Sequence, residues 1–530
     1  MQVLDLLWFL GVFNFLQSMG PSDKLLIGNG KTKKQIKEGI NMGKNFEITQ
    51  KMKEEIQGHN GTGPAFVLFD VDCGQGKTTK TLEMIGDDGG TCLYLVPRSA
   101  LLKSIENICA KKGLNNVTPM TMQTFVTLPD AVLGRYKWVI VDECQQCILD
   151  SPYNKGIVQV YRKLARAFSG TACIMLTGTD VGVAEHFKKW YGIDVLVYRN
   201  REKYATWLQG NTFGFVPNID TVVDIICRKL AKNEKVLFFS SNIKNIDYVS
   251  EMIPAKTMAV VSRGNADAVR LCGRKRKNVN KLIDNESIPE GISVVCATKC
   301  LDTGINLKNN NPEDGLLTTI IIDELCVASA LQEINRFRRE EGEKIDLYFL
   351  LPTGYKVDKN YEKYEKELAD YELYANNRPA WVKKHTGKRI GEKGIIYTIP
   401  GEEHPEYDVD ECYATYCEYM LKTLRGDKIS HYKRAVERAL GWSGVDMLNA
   451  GKKTLEELVG VLLVTKAEKQ MLIDLFKEMG NYRSASRLNA ILKALKLPYE
   501  IQTGKSKQLP RRNGKRHECR SGWMLVRIDQ

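Results

Sequence analysis

The sequence predicts an α/β protein: two tandem parallel-sheet units, then a mainly helical C-terminal region. Three observations lead there. Short β-rich apolar runs alternate with helical periodicity from Pro64 to Thr177, and the alternation starts afresh from Lys235 to Leu351. A glycine loop opens a helix directly after the first run, and an acidic pair closes a later one. Beyond about residue 356 the runs give way to charged, Tyr-studded helical patterns.

The first run, Pro64 to Val71, leads through Asp72 and Cys73 into Gly74-Gln75-Gly76-Lys77-Thr78-Thr79 and then a helical pattern of Thr81, Leu82, Met84 and Ile85. Strand, glycine loop and helix form a phosphate cradle. Gly74 and Gly76 let the backbone around Gln75 turn its N–H groups inward, and the helix start adds positive potential. Lys77 can reach the β/γ-phosphates of ATP, and the Thr78 hydroxyl can ligate Mg²⁺. The strict phosphate-loop pattern wants Gly where Val71 stands, and a plain glycine turn is the competing reading. A second Gly-x-Gly-Lys-Thr, Gly28 to Thr32, precedes a cation-crowded stretch and reads as a solvated loop.

Lys137 to Val141 is an apolar run closed by Asp142-Glu143. A nucleotide-hydrolysing site needs one carboxylate for the Mg²⁺ shell, here Asp142, and a second to orient or deprotonate water, here Glu143. Such a pair could instead cap a helix. Downstream of a phosphate loop, at a strand end, the catalytic reading prevails.

Further strands are expected at Thr91–Arg98 and at Ala172–Thr177, which leads into Gly178-Thr179, with Met120–Phe125 following a loop. The second unit offers Lys235–Asn242, Ile292–Thr298, Thr319–Asp323 and Asp346–Leu351, and carries no phosphate loop of its own. Thr298 to Asn306 is a polar strand exit containing Gly304. Gln332 to Arg339 reads as helix, which would put Arg336 and Arg339 on one face as arginine fingers for a triphosphate. The alternative is a solvated basic helix paired with Glu340 and Glu341.

Composition bounds the partners. The 530 residues suit three or four domains, and the net charge of +13 favours a polyanion. Fourteen cysteines without paired spacing, Cys144-x-x-Cys147 included, read as reduced thiols in a cytoplasmic compartment. Leu6 to Leu16 is apolar, short and without a basic leader, and reads as a docked amphipathic helix. No run reaches transmembrane length, so no membrane partner is expected.

From about residue 50 to 352 the chain resembles the superfamily 2 helicases. Val71–Thr79 resembles motif I and Asp142-Glu143 opens a DExx-type motif II. Pro97-Arg98 stands at motif Ia, and Thr177-Gly178-Thr179 replaces the Ser-Ala-Thr of motif III. Thr298, Gly304 and Asn306 fit motif V; Gln332, Arg336 and Arg339 fit motif VI, with Asn335 where Gly is usual. Phe239-Ser240-Ser241 and the Gln-x-x-x-Arg-x-Arg ending look most like viral origin-binding-protein helicases and their phage relatives. Cys144-Gln145 after motif II departs from the DEAD-box pattern. The resemblance implies two RecA-like domains with ATP and Mg²⁺ in the cleft between them, Gln332 coupling nucleotide to domain movement, and nucleic acid across the top. It further implies a helicase or translocase of DNA replication with DNA favoured over RNA, replication proteins as partners, and the host cytoplasm as location. An origin-binding initiator with an ATP switch, and a motor subunit of a nuclease or defence complex, are the alternatives.

The expected domains are 1–48, an N-terminal helical segment; 49–200 and 201–355, the two RecA-like units; and 356–530, an accessory nucleic-acid-binding region. In the last, helical patterns are expected at 359–374, 408–424, 428–440, 454–464, 466–479 and 482–495. A basic stretch follows, with Lys505, Lys507, Arg511, Arg512, Lys515, Arg516 and Arg520, then a strand at 522–528. Helix, basic loop and strand form a winged-helix pattern; a helical bundle with a solvated tail is the alternative. A second cation cluster, Arg263 to Lys281, is a candidate for binding the phosphate backbone.

Overall fold

The computed structural model describes residues 46–57, 66–72, 74–167, 171–200, 211–253, 256–261, 279, 281–282, 285–299, 307–309, 315–337, 343–386, 390, 394–399, 406–441, 445–446, 458–463, 469–470, 472–473, 484–494, 499–512 and 515–528. The second glycine loop at Gly28–Thr32, the apolar start, most of the Arg263–Lys281 cluster, Gly304 and Arg339 lie outside them. The chain divides into two compact units, residues 1–201 and 202–530.

In the first unit the strands are β1 (Phe66–Val71), β2 (Cys92–Val96), β3 (Val117–Thr121), β4 (Trp138–Val141), β5 (Ala172–Thr177) and β6 (Val195–Asn200). They form one sheet in the order β3-β2-β4-β5-β1-β6, parallel throughout. Every residue of β1, β2 and β4 is buried, which is why β2 and β4 read as unbroken apolar runs and not as alternation; in β1 the run is interrupted by Asp70, which pairs with Arg199 at 2.6 Å. The helices are α1 (Gln50–Gln57), α2 (Lys77–Asp88), α3 (Ser99–Lys112), α4 (Met122–Thr127), α5 (Val158–Ala167) and α6 (Val183–Tyr191). Val67, Phe69, Ile140 and Ile174 of the sheet pack with Leu82 and Ile85 of α2. Phe46 joins this core, its ring 5.1 Å from that of Phe69. The unit therefore begins before residue 49, correcting the expected extent of the N-terminal segment.

The second unit repeats the scheme with β7 (Phe213–Val216), β8 (Lys235–Ser240), β9 (Thr257–Val260), β10 (Val294–Ala297), β11 (Leu317–Asp323) and β12 (Asp346–Leu350). Their order is β7-β12-β11-β8-β10-β9, and all pairs are parallel. Helices α7 (Ile219–Leu230), α8 (Ile243–Met252) and α9 (Val327–Ile334) lie between strands in sequence. A short antiparallel pair, β13 (Ile396–Thr398) and β14 (Tyr407–Val409), follows β12. The two-residue β15 (Val445–Asp446) then extends the large sheet beyond β7, again in parallel.

The C-terminal helices belong to this unit. These are α10 (Gly354–Asn376), α11 (Arg378–His385), α12 (Glu411–Leu424) and α13 (Lys428–Leu440). Buried Tyr432 of α13 donates to the Glu324 carbonyl at 2.7 Å. The Ala328 N–H of α9 donates to the Tyr419 hydroxyl of α12 at 3.1 Å.

The end of the chain corrects two expectations. The basic stretch is not a loop. It forms the arms of a hairpin, β17 (Tyr499–Arg512) and β18 (Lys515–Arg527), paired out to Arg512 opposite Lys515. Only Asn513-Gly514 separates the arms, and Asn-Gly is the strongest short hairpin signal. Residues 454–464, expected as helix, contain the strand β16 (Leu462–Leu463), which pairs with the base of β18. Leu463, Ile501 and Leu525 bury against Leu488 and Leu492 of α14 (Ala485–Ala494), so strand pairing here is fixed by a small core.

Candidate nucleotide site

Strands β4, β5 and β1 are neighbours in that order. The turns leaving their carboxyl ends therefore share one edge of the first sheet, the edge where open α/β sheets take ligands. Glycine makes the first turn possible. Gly74 has φ +80° and Gly76 φ +84°, conformations that cost an L side chain about 1 kcal/mol or more. Gly76 caps α2 without a side-chain hydrogen bond, which leaves the first N–H groups of a twelve-residue helix for an anion. Phe46 N–H donates to the Gln75 carbonyl at 3.1 Å, fixing the loop from behind. Lys77 is buried, its Nζ donating to the Val71 carbonyl at 3.2 Å. Thr79 is exposed on the first turn of α2.

From β4 comes the acidic half. Asp142 N–H donates to the Leu95 carbonyl at 2.9 Å, so the residue extends the ladder by one step and its side chain is held at the edge. Thr78 Oγ1 donates to Asp142 Oδ2 at 3.3 Å, although 64 residues separate them. The Tyr94 hydroxyl, from β2, donates to the same oxygen at 2.8 Å. Glu143 N–H donates to Asp142 Oδ1 at 3.0 Å. Glu143 itself sits at φ +47°, a left-handed conformation uncommon for a non-glycine residue. Gln145 Nε2 holds its Oε2 at 2.6 Å. Sequence reasoning missed Tyr94 and Gln145 as site residues. Tyr94 looks like one more apolar strand residue, and Gln145 stood out only as a departure from the usual motif.

Burial pushes the Asp142 carboxyl up to about 6; the Glu143 charge adds to the push, and Lys77 and the Tyr94 hydrogen bond oppose it. A cation here competes with a proton only as the pH falls towards about 6. The donor set fits Mg²⁺. One hydroxyl and one carboxylate are hard oxygen ligands, and Mg²⁺ keeps most of its shell for water and phosphate. Among the described residues no cluster of three or more His, Cys, Asp or Glu could form a closed metal cage. Burial holds the Cys144 and Cys147 thiols well above their ordinary range, so they are packing residues.

In the second unit Gln332 lies on α9, and Arg336 Nε donates to its carbonyl at 3.2 Å. The helix stops at Ile334, so Arg336 stands beyond its end, while Arg339 lies outside the described residues. The backbone after Asn335 instead turns to pair with a neighbour. Leu307 N–H donates to the Arg336 carbonyl at 2.7 Å, and Leu307 bridges to Phe337. Arg336 is buried.

No family model and no curated protein matches the chain. Solved structures show distant likeness. The DUF1998 helicase MrfA bound to DNA and AMPPNP is 14% identical over 57% of this chain and 48% of its own, with a TM-score of 0.39. The chain thus spans about half the length of MrfA. The Hef helicase domain of Pyrococcus furiosus is 13% identical over 56% of this chain and 95% of its own, TM-score 0.35. Dbp5 of S. cerevisiae bound to RNA and ADP BeF3, in its L327V form, is 13% identical over 58% and 83%, TM-score 0.41. No described helix is long and apolar enough to cross a membrane.

Proposed function

We propose that this chain is an ATP-dependent nucleic-acid helicase or translocase, DNA favoured over RNA, acting in DNA replication of viral or phage type. The observation that carries the ATPase reading is the convergence of Lys77, Thr78, Asp142 and Glu143 at one sheet edge, with Thr78 and Asp142 3.3 Å apart. The N–H groups around Gly74 to Thr79 and the Lys77 ammonium bind the phosphates. Thr78 and Asp142 hold Mg²⁺, which neutralises phosphate charge when bound. Glu143, steadied by Gln145, takes the proton of the attacking water. Gln332 couples nucleotide to movement, and Arg336 and Arg339 are the arginine fingers. The motif order and the net charge of +13 support a nucleic-acid track, and the buried free cysteines agree with a reducing cytoplasm.

The test is ATP hydrolysis by the full chain, alone and with single-stranded DNA, duplex DNA or RNA, beside Lys77→Ala. Single-stranded DNA should stimulate turnover most strongly, and the variant should lose about 10²-fold or more. Hydrolysis that no nucleic acid stimulates would favour the ATP-switched initiator. Full activity in Lys77→Ala would overturn the site.

A further inference from the structure

We infer that Tyr94 is a positioning residue for the cation-binding carboxylate, fixing Asp142 so that it and Thr78 present a preformed pair of oxygens; this rests on the nucleotide site proposed above. Tyr94 is fully buried in β2, where it pairs with Ile140 in the parallel ladder. Its ring is packed in the core of the first unit, so its hydroxyl is held at one place, where Thr78 also meets it. That place is Asp142 Oδ2, at 2.8 Å. The other carboxylate oxygen takes the Glu143 N–H at 3.0 Å. With a short donor on each oxygen, rotation of the carboxylate would break both bonds.

The Thr78 hydroxyl shares Oδ2 at the longer distance of 3.3 Å. A hydroxyl that donates to a carboxylate keeps its own lone pairs for a cation, so Thr78 can ligate without losing its proton acceptor. Tyr94 thus keeps Oδ2 where Thr78 needs it. A polar donor from a neighbouring strand acts on a metal ligand as an outer-shell partner, and removing such partners commonly costs 10–100-fold in metal affinity. Only a tyrosine on β2 has the reach and the rigidity, and the rest of β2 is aliphatic or Cys92.

The experiment compares the full chain with Tyr94→Phe, which keeps the ring and removes the hydroxyl, and with Asp142→Asn. A fluorescent ADP analogue is titrated in EDTA and then in rising Mg²⁺, with circular dichroism as fold control. In Tyr94→Phe the Mg²⁺ concentration for half the metal-dependent gain should rise about tenfold, with affinity in EDTA unchanged. An unchanged Mg²⁺ midpoint overturns the positioning role. So does an equal loss of affinity in EDTA, which would make Tyr94 a packing residue. If Asp142→Asn retains the full Mg²⁺ effect, or the parent shows none, the nucleotide-site reading itself falls, whatever Tyr94→Phe does.

Discussion

Both sheets end a strand in Asp-Glu, and the two pairs live differently. In the first unit Asp142 is buried with its carboxyl pushed up to about 6, and Glu143 is held in a left-handed backbone. In the second unit Asp323 closes β11 and is fully provided for. Ser240 Oγ donates to it at 2.5 Å and Asn245 Nδ2 at 2.8 Å, and Lys356 stands 3.6 Å away. Glu324 accepts the Cys326 N–H at 2.9 Å and pairs with Lys299 at 3.7 Å. The first pair is the one we propose to take a cation and a proton. The other clamps α9 and α10 to the sheet. The dipeptide and its place at a strand end are the same; the neighbours differ, and they are the ground for proposing the first as the reactive site.

The largest expected effect would break that contrast if absent. Glu143→Gln should lower ATP turnover by about 10²–10⁴-fold while nucleotide still binds; Glu324→Gln should leave turnover within a few fold in the folded protein. Steady-state hydrolysis beside nucleotide titration decides it, and equal losses would dissolve the distinction.

Stability should move in the opposite sense. Asp323→Asn replaces charge-assisted bonds by neutral ones and should cost about 1–3 kcal/mol. For Asp142 the sign reverses. Its folded carboxyl titrates above its ordinary 3.8, at about 6, so the native state holds the extra proton. Its contribution to stability is therefore present at low pH and lost as pH rises through about 6. Asp142→Asn should be neutral or stabilising at pH 7 and should flatten that pH dependence. Denaturant unfolding at pH 5 and 8 tests both, and a strongly destabilised Asp142→Asn would show that its charge is as well satisfied as that of Asp323.

The smallest effect concerns nucleic-acid grip. Neutralising Lys505, Lys507, Arg511 and Arg512 in β17 should reduce the salt slope of nucleic-acid binding by about 0.7–0.9 for each phosphate that is no longer neutralised, with basal hydrolysis at the first sheet edge intact. Substitution is the right tool, because truncation would also remove Ile501 and Leu525 from their core. An unchanged slope would make the hairpin a bystander.

Much of this was legible in the chain. Fully buried parallel strands such as β2, β4 and β8 appear as apolar runs, and Gly74, Gly76, Lys77, Asp142 and Glu143 stand out as candidates because phosphate and cation chemistry calls for those residue types at strand ends. Strands β7 and β9 were not legible, being four residues each and too short to carry periodicity. Nor was the hairpin, since cations hide strand propensity although Asn513-Gly514 signals the turn. By itself the sequence determined the α/β class, the tandem sheets and the candidate residues of the proposed site, through patterns local in the chain. Only the tertiary structure decided that Glu143 takes a left-handed backbone and that Ser240, Asn245 and Lys356 gather on Asp323, that α9 ends before Arg336, and that Tyr94 reaches Asp142. Those outcomes depend on residues far apart in sequence, where a strand's neighbour supplies the donor, and no local pattern records who that neighbour is.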